Sequence, residues 1–249
     1  MVCFDRIRRP RGLIGGSLHR LVIKEGISTM HFNKFLLIGG LIATTTAAFA
    51  LERTLTYIDG RHEVHGGSAI AKDSGQIDAY DGAQIVGYDN TVLTLYDNCF
   101  AESYGHCYVH ANARSKVKCF ENSRVIATNN AEIEATGSSY VEASDSCVVV
   151  AHGSASVFAS QSVSVKAYDD VKVVAQGHAK VEAFGNADVT AQNYADVVAS
   201  NNVNVKCKGH STVEAKDQAI VEAFDDSQVI FAKDVKITKH DNAKAKSNG

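Results

Sequence analysis

From Ile77 to Ala245 an aliphatic residue recurs every eight positions, through twenty-two registers and without an insertion. The series opens Ile77, Ile85, Leu93, Ala101, Val109 and closes Val221, Val229, Ile237, Ala245; all but the two alanines are Val, Ile or Leu. The residues two before and two after each anchor are small. Every eighth position from 127 to 223 is Ala, with Cys207 as the one exception. Small–x–Val–x–Ala is period-two alternation over five residues, which predicts a short strand with one buried face. Turn formers follow, among them Asp81-Gly82, Asp89-Asn90, Asn129-Asn130, Gly137-Ser138 and Asn201-Asn202. Gly, Asn and Asp accept the left-handed backbone of a tight corner. The single Pro is Pro10, outside the repeat, so no strand N–H is lost from a ladder.

A five-residue strand and a three-residue corner bury no core alone, so successive octads must stack as a solenoid. Two octads per coil give a flat tube of two sheets with sixteen-residue coils. Three would give a triangle, which a Val, Ala and Ser interior is too small to fill at protein density. The expectation is therefore an all-β, single-domain β-solenoid over 77–245 with two short strands per coil. Eleven such coils make a rod of about 50 Å. Residues 51–76 read as a cap or first irregular coil, with an edge strand in 51–58 and a turn at Gly66-Gly67. Residues 246–249 read as a polar tail. The lysines Lys233, Lys236, Lys239 and Lys244 would blunt the edge of the last coil.

The first fifty residues are of another kind. Met30 to Lys34 is a short basic start, Phe35 to Ala47 is mostly apolar, and Ala48-Phe49-Ala50 has the small-x-small form of a signal-peptidase site. Residues 30–50 thus read as a signal peptide, and 1–29 as an upstream extension preceding a start at Met30. The apolar run is shorter than the roughly twenty residues of a bilayer span, so no stable span is expected after cleavage. The expected location is the periplasm or the extracellular space. From residue 51 on there are 18 basic and 26 acidic residues, a net charge of −8. That balance argues against nucleic acid or an anionic membrane as partner.

Candidate chemistry is sparse. Cys99, Cys107, Cys119, Cys147 and Cys207 all fall at small inward positions; Cys107 and Cys119 are the candidate disulfide, facing each other across a coil in an oxidising compartment. The histidines show no zinc-like spacing, and His178 and His210 share a corner position two coils apart, about 10 Å. Aromatic residues stack on the corners: Tyr88, Tyr104, Phe120, Tyr168 and Phe184 on one edge, Tyr80 and Tyr96 on the other. Such a ladder stabilises neighbouring coils and offers a platform for sugar rings. A strict octad leaves no loop long enough to converge acid, base and nucleophile, so no enzyme and no cofactor are expected. Outward positions such as Lys116/Lys118 and Glu132/Glu134 carry mixed charge rather than the Thr-x-Thr rows of an ice-binding face.

The chain resembles exported octapeptide-repeat solenoids built from Val-x-Ala-x-(Asp/Gly)-Asn units, a resemblance that implies architecture and no defined activity. It also resembles the calcium-binding β-rolls of RTX toxins in its flat coils and polar corners. It departs from them in a period of eight and in lacking the G-G-x-G-x-D run, which leaves weak calcium binding at corners such as Asp81 and Asp97 as the one metal expectation. Bactofilins offer a comparison for self-assembly, although they are cytosolic. The expected role is a non-enzymatic structural or interaction protein. The alternatives are a glycan- or surface-binding module using the aromatic edge, and a self-assembling solenoid.

Overall fold

The computed structural model describes residues 54–248; the expected upstream extension at 1–29 and the expected signal peptide at 30–50 lie outside the described residues. The described chain is all strand, wound as a β-solenoid of two parallel sheets. Odd-numbered strands form a 13-stranded sheet and even-numbered strands a 12-stranded sheet, so two octads close one coil. We number the strands β1 (Leu55–Tyr57) to β25 (Lys244–Ser247) in chain order. From β3 (Ser68–Ala71) onward each residue pairs with the one sixteen later, as in Val125↔Val141 and Ile133↔Val149. The first coil is shorter: Leu55 pairs with Ala69 and Arg61 with Gln76, steps of fourteen and fifteen. Residues 55–71 thus join the same two sheets as the regular repeat, and at about 4.8 Å per coil the rod is about 58 Å long.

From β5 (Gln84–Gly87) onward the strands are four residues long, not five, because the small residue two before each anchor belongs to the corner. Its side chain is buried, but in many coils its N–H closes the turn. The amide of Ser123 donates to the carbonyl of Phe120 at 3.2 Å, and that of Ala83 to Tyr80 at 3.1 Å. The corner's second residue sits at positive φ, as in Glu121 (58°), Gly137 (70°) and Asp169 (58°). Its third residue donates to the carbonyl of the second residue one coil below, as Asn122 does to Gly105 at 3.1 Å.

The core is one continuous column. Anchors from Ile77 to Val229 are at most 3% exposed, flanked by fully buried Ala83, Ala155, Ala187 and their equivalents. The interior is narrow because two facing rows of small side chains, mostly Val and Ala, are all that the flat coil admits. At Val235, Ile237, Ala243 and Ala245 the anchors and their neighbours are only partly buried.

Candidate functional site

The corners leaving the 13-stranded sheet place Tyr88, Tyr104 and Phe120 in one stack, with ring centroids 5.4 and 4.7 Å apart. Thr136 interrupts the column, its hydroxyl donating to the Cys119 carbonyl at 3.3 Å. The column then resumes as His152, Tyr168 and Phe184, spaced 4.7 and 5.2 Å. On the opposite edge His65, Tyr80 and Tyr96 stack at 4.8 and 4.7 Å, the last two rings only 1° from parallel. His178 and His210, two coils apart, hold Tyr194 between them at 5.4 and 5.3 Å.

Parallel rings at these distances give their faces to each other. A pyranose ring stacks on an aromatic face, so the interior rings of a ladder offer it only edges. The Tyr104 hydroxyl is also occupied, donating to Glu102 at 3.0 Å, and burial is the first cause raising its pKa above the usual tyrosine value.

The aspartates at corner position two do something the sequence did not disclose. The Asp145 carboxylate accepts the N–H of Asn129 at 2.9 Å, and Asp169, Asp217 and Asp225 accept those of Gly153, Asn201 and Gly209 at 3.0 Å each. The recipient is always the positive-φ residue one coil below, whose amide points out of the ladder. This is the same satisfaction that an N-cap side chain gives a helix. At the edge where Asp81 and Asp97 stack, Asp81 meets His65 at 2.9 Å. Among the described residues no group of three or more His, Cys, Asp or Glu side chains is placed to hold a metal ion.

All five described cysteines are buried free thiols. Cys107 and Cys119 therefore do not form the expected bridge in this structure. They lie at the same edge but on different sheets, in the corner before β8 (Tyr108–Ala111) and at the end of β9 (Lys116–Cys119). The Cys107 thiol donates to the Tyr104 carbonyl at 2.9 Å and lies 3.1 Å from the Thr91 hydroxyl. Burial raises the pKa of each thiol, that of Cys119 to about 11. A thiol held protonated is a poor nucleophile and ligand.

The outward faces of the two sheets differ. On the 13-stranded sheet, ion pairs run along the rod: Lys116 with Glu132 at 2.7 Å, Lys118 with Glu134 at 3.3 Å, Lys166 with Glu182 at 3.2 Å. The row breaks at Val148 and Val150, where a shallow depression of about 460 Å³ opens above Glu132 and Glu134. On the 12-stranded sheet Val92, Tyr108, Ile126, Tyr140, Phe158 and Val174 form an apolar strip, with the Arg124 guanidinium 5.8 and 5.0 Å from the Tyr108 and Tyr140 rings. Near the end of that sheet Lys206 bonds Glu222 at 3.2 Å and lowers its pKa.

Compared with protein-family models, with curated proteins and with solved structures, the chain matches none.

Proposed function

We propose that this chain is an exported, non-enzymatic solenoid that works through contact along its faces and edges. The observation that carries the reading is the unbroken coil: from β5 (Gln84–Gly87) onward every corner is four residues long, and outward lysines such as Lys116, Lys118, Lys166 and Lys206 are engaged in coil-to-coil pairs. Catalysis needs a water-excluding cleft with convergent groups, and a flat ladder spreads its charges at the strand spacing instead. The leader-like residues 30–50 support export.

Fractionation of the producing cells with N-terminal sequencing tests the location. The expected product lies outside the cytosol and begins at Leu51; a full-length cytosolic chain overturns export. Turnover of a polysaccharide, abolished by replacing an outward carboxylate such as Glu134, would overturn the non-enzymatic reading.

Glycan binding through Tyr88, Tyr104, Phe120, Tyr168 and Phe184 is the alternative, and stacking confines it to the ladder ends. It requires binding on a glycan array that Tyr88→Ala plus Tyr104→Ala removes while the β-sheet circular dichroism is unchanged.

A further inference from the structure

The two faces carry complementary apolar features at matching heights. Each strand advances the coil by half a rise, so a strand of one sheet lies within about 2.4 Å of the height of the next strand in the other. Translating one rod sideways onto another keeps their edges aligned. The 12-stranded face of the first then meets the 13-stranded face of the second, with strands running in opposite directions. The residue before an anchor on one face therefore meets the residue after an anchor on the other.

In that arrangement Phe158 of β14 (Ser156–Ala159) falls on Val148 of β13 (Val148–Ala151), and Tyr140 of β12 (Tyr140–Ala143) on Val150. These aromatics fall at the end of the depression that Val148 and Val150 bound. Further along, Ile220 of β22 (Ile220–Ala223) meets Ile230 of β23 (Gln228–Phe231). Tyr140, Val148, Ile220 and Ile230 are 38, 45, 46 and 37% exposed, large apolar side chains presented to solvent on the two faces. Charges in the same register are mixed: Arg124 of β10 (Arg124–Ala127) stands between Glu134 of β11 (Glu132–Ala135) and Lys118 of β9, Lys172 stands between Glu182 and Lys166, and Lys206 of β20 (Asn204–Cys207) meets Asp196 of β19 (Asp196–Ala199). Like charges also meet where Glu142 falls beside Glu132, Asp188 beside Glu182 and Lys236 beside Lys246, so the apolar contacts carry the register.

We propose that the occupant of these faces is a second copy of this chain, stacked side by side in register. The inference rests on the structural reading given above and names its partner. Full overlap of two faces about 58 Å long and four residues wide buries about 1,500 Å² in total, within the range of specific interfaces. Because the contact is heterologous, each copy keeps one face open, and stacking continues into ribbons of parallel rods rather than closing at a dimer.

Two substitutions on the full chain test it, Val148→Lys and Phe158→Lys. Both positions point outward beside a glutamate of the adjacent coil, Glu132 and Glu142, so a lysine there copies the existing Lys116–Glu132 pair and the fold is kept. The parent chain should assemble with rising concentration in sedimentation velocity and show ribbons by negative stain. Each variant alone should remain monomeric, because one of its two faces is spoiled. An equimolar mixture should give one species of twice the monomer mass, joined by the intact face of each. Assembly of one variant alone would mean like-to-like contact and would overturn the heterologous stack. A parent that stays monomeric at every concentration would overturn lateral association, while export and the glycan array would still judge the broader reading on their own.

Discussion

At the scale of the residue, the corner aspartates combine two effects that substitution can separate. Asp225 holds φ at 55° and accepts the Gly209 amide at 3.0 Å. Asp225→Asn keeps both and should change stability little. Asp225→Gly keeps the backbone but loses the bond, a cost of about 1 kcal/mol. Asp225→Ala loses the bond and adds the left-handed penalty, for a total of about 2–3 kcal/mol. Denaturant melts of the three variants should rank them in that order, and an equal effect of Gly and Ala would remove the backbone contribution. The thiols allow a second test. An unfolded thiol ionises near 9.0, whereas Cys119 holds its proton to about 11. The unfolded chain therefore binds fewer protons between those values. Stability should be full below pH 9 and fall as pH rises towards 11. Alkylation at pH 8 should spare the five described cysteines until the protein is denatured.

At the scale of the element, one coil is sixteen residues and one strand with its corner is eight, and these two periods have different consequences. Deleting sixteen residues, 161–176, removes one coil and restores every column above the cut. Deleting eight, 169–176, still returns each anchor to the interior because the inward pattern has period eight. It also moves every later strand to the other sheet. Lys206 and Glu222 would leave the face that holds Arg124, and Phe224 and His240, stacked at 4.3 Å, would change edges. Both deletions should fold. The eight-residue one should melt lower, since aromatic ladders and cross-strand pairs are broken at the junction. A seven-residue deletion would reverse the facing of every later side chain and should not fold beyond the cut.

At the scale of the whole molecule, stability comes from burial repeated coil by coil rather than from surface charge. The lysine–glutamate pairs on the faces are 42–59% exposed at the side chain, a setting in which such pairs contribute little. Raising NaCl to about 1 M, where the Debye length falls to about 3 Å, should therefore leave the melting temperature nearly unchanged. Small-angle scattering should give a rod with an ordered length of about 58 Å. A marked fall in melting temperature with salt would return the ion-pair rows to a central place.

The amino-acid sequence alone determines which side chains point inward and how long each repeat is, and it favours two repeats per coil, a number that the sheet pairing fixes. These are local matters: alternation is set by the pleat of four consecutive residues, and the volume of Val and Ala limits the tube to two sheets. The relations across coils belong to the tertiary structure. Lys116, Glu132 and Val148 lie sixteen apart and so share one face. Sampling such a series never meets Tyr108, Tyr140 or Phe158, which stand on the other. The carboxylates above the amides of Asn129, Gly153, Asn201 and Gly209, and the Tyr194 ring between two histidines, likewise depend on a neighbour one coil away. A short pattern contains no information about which residue winding brings overhead, because that neighbour is fixed only when two half-coils and two corners have added up to one turn.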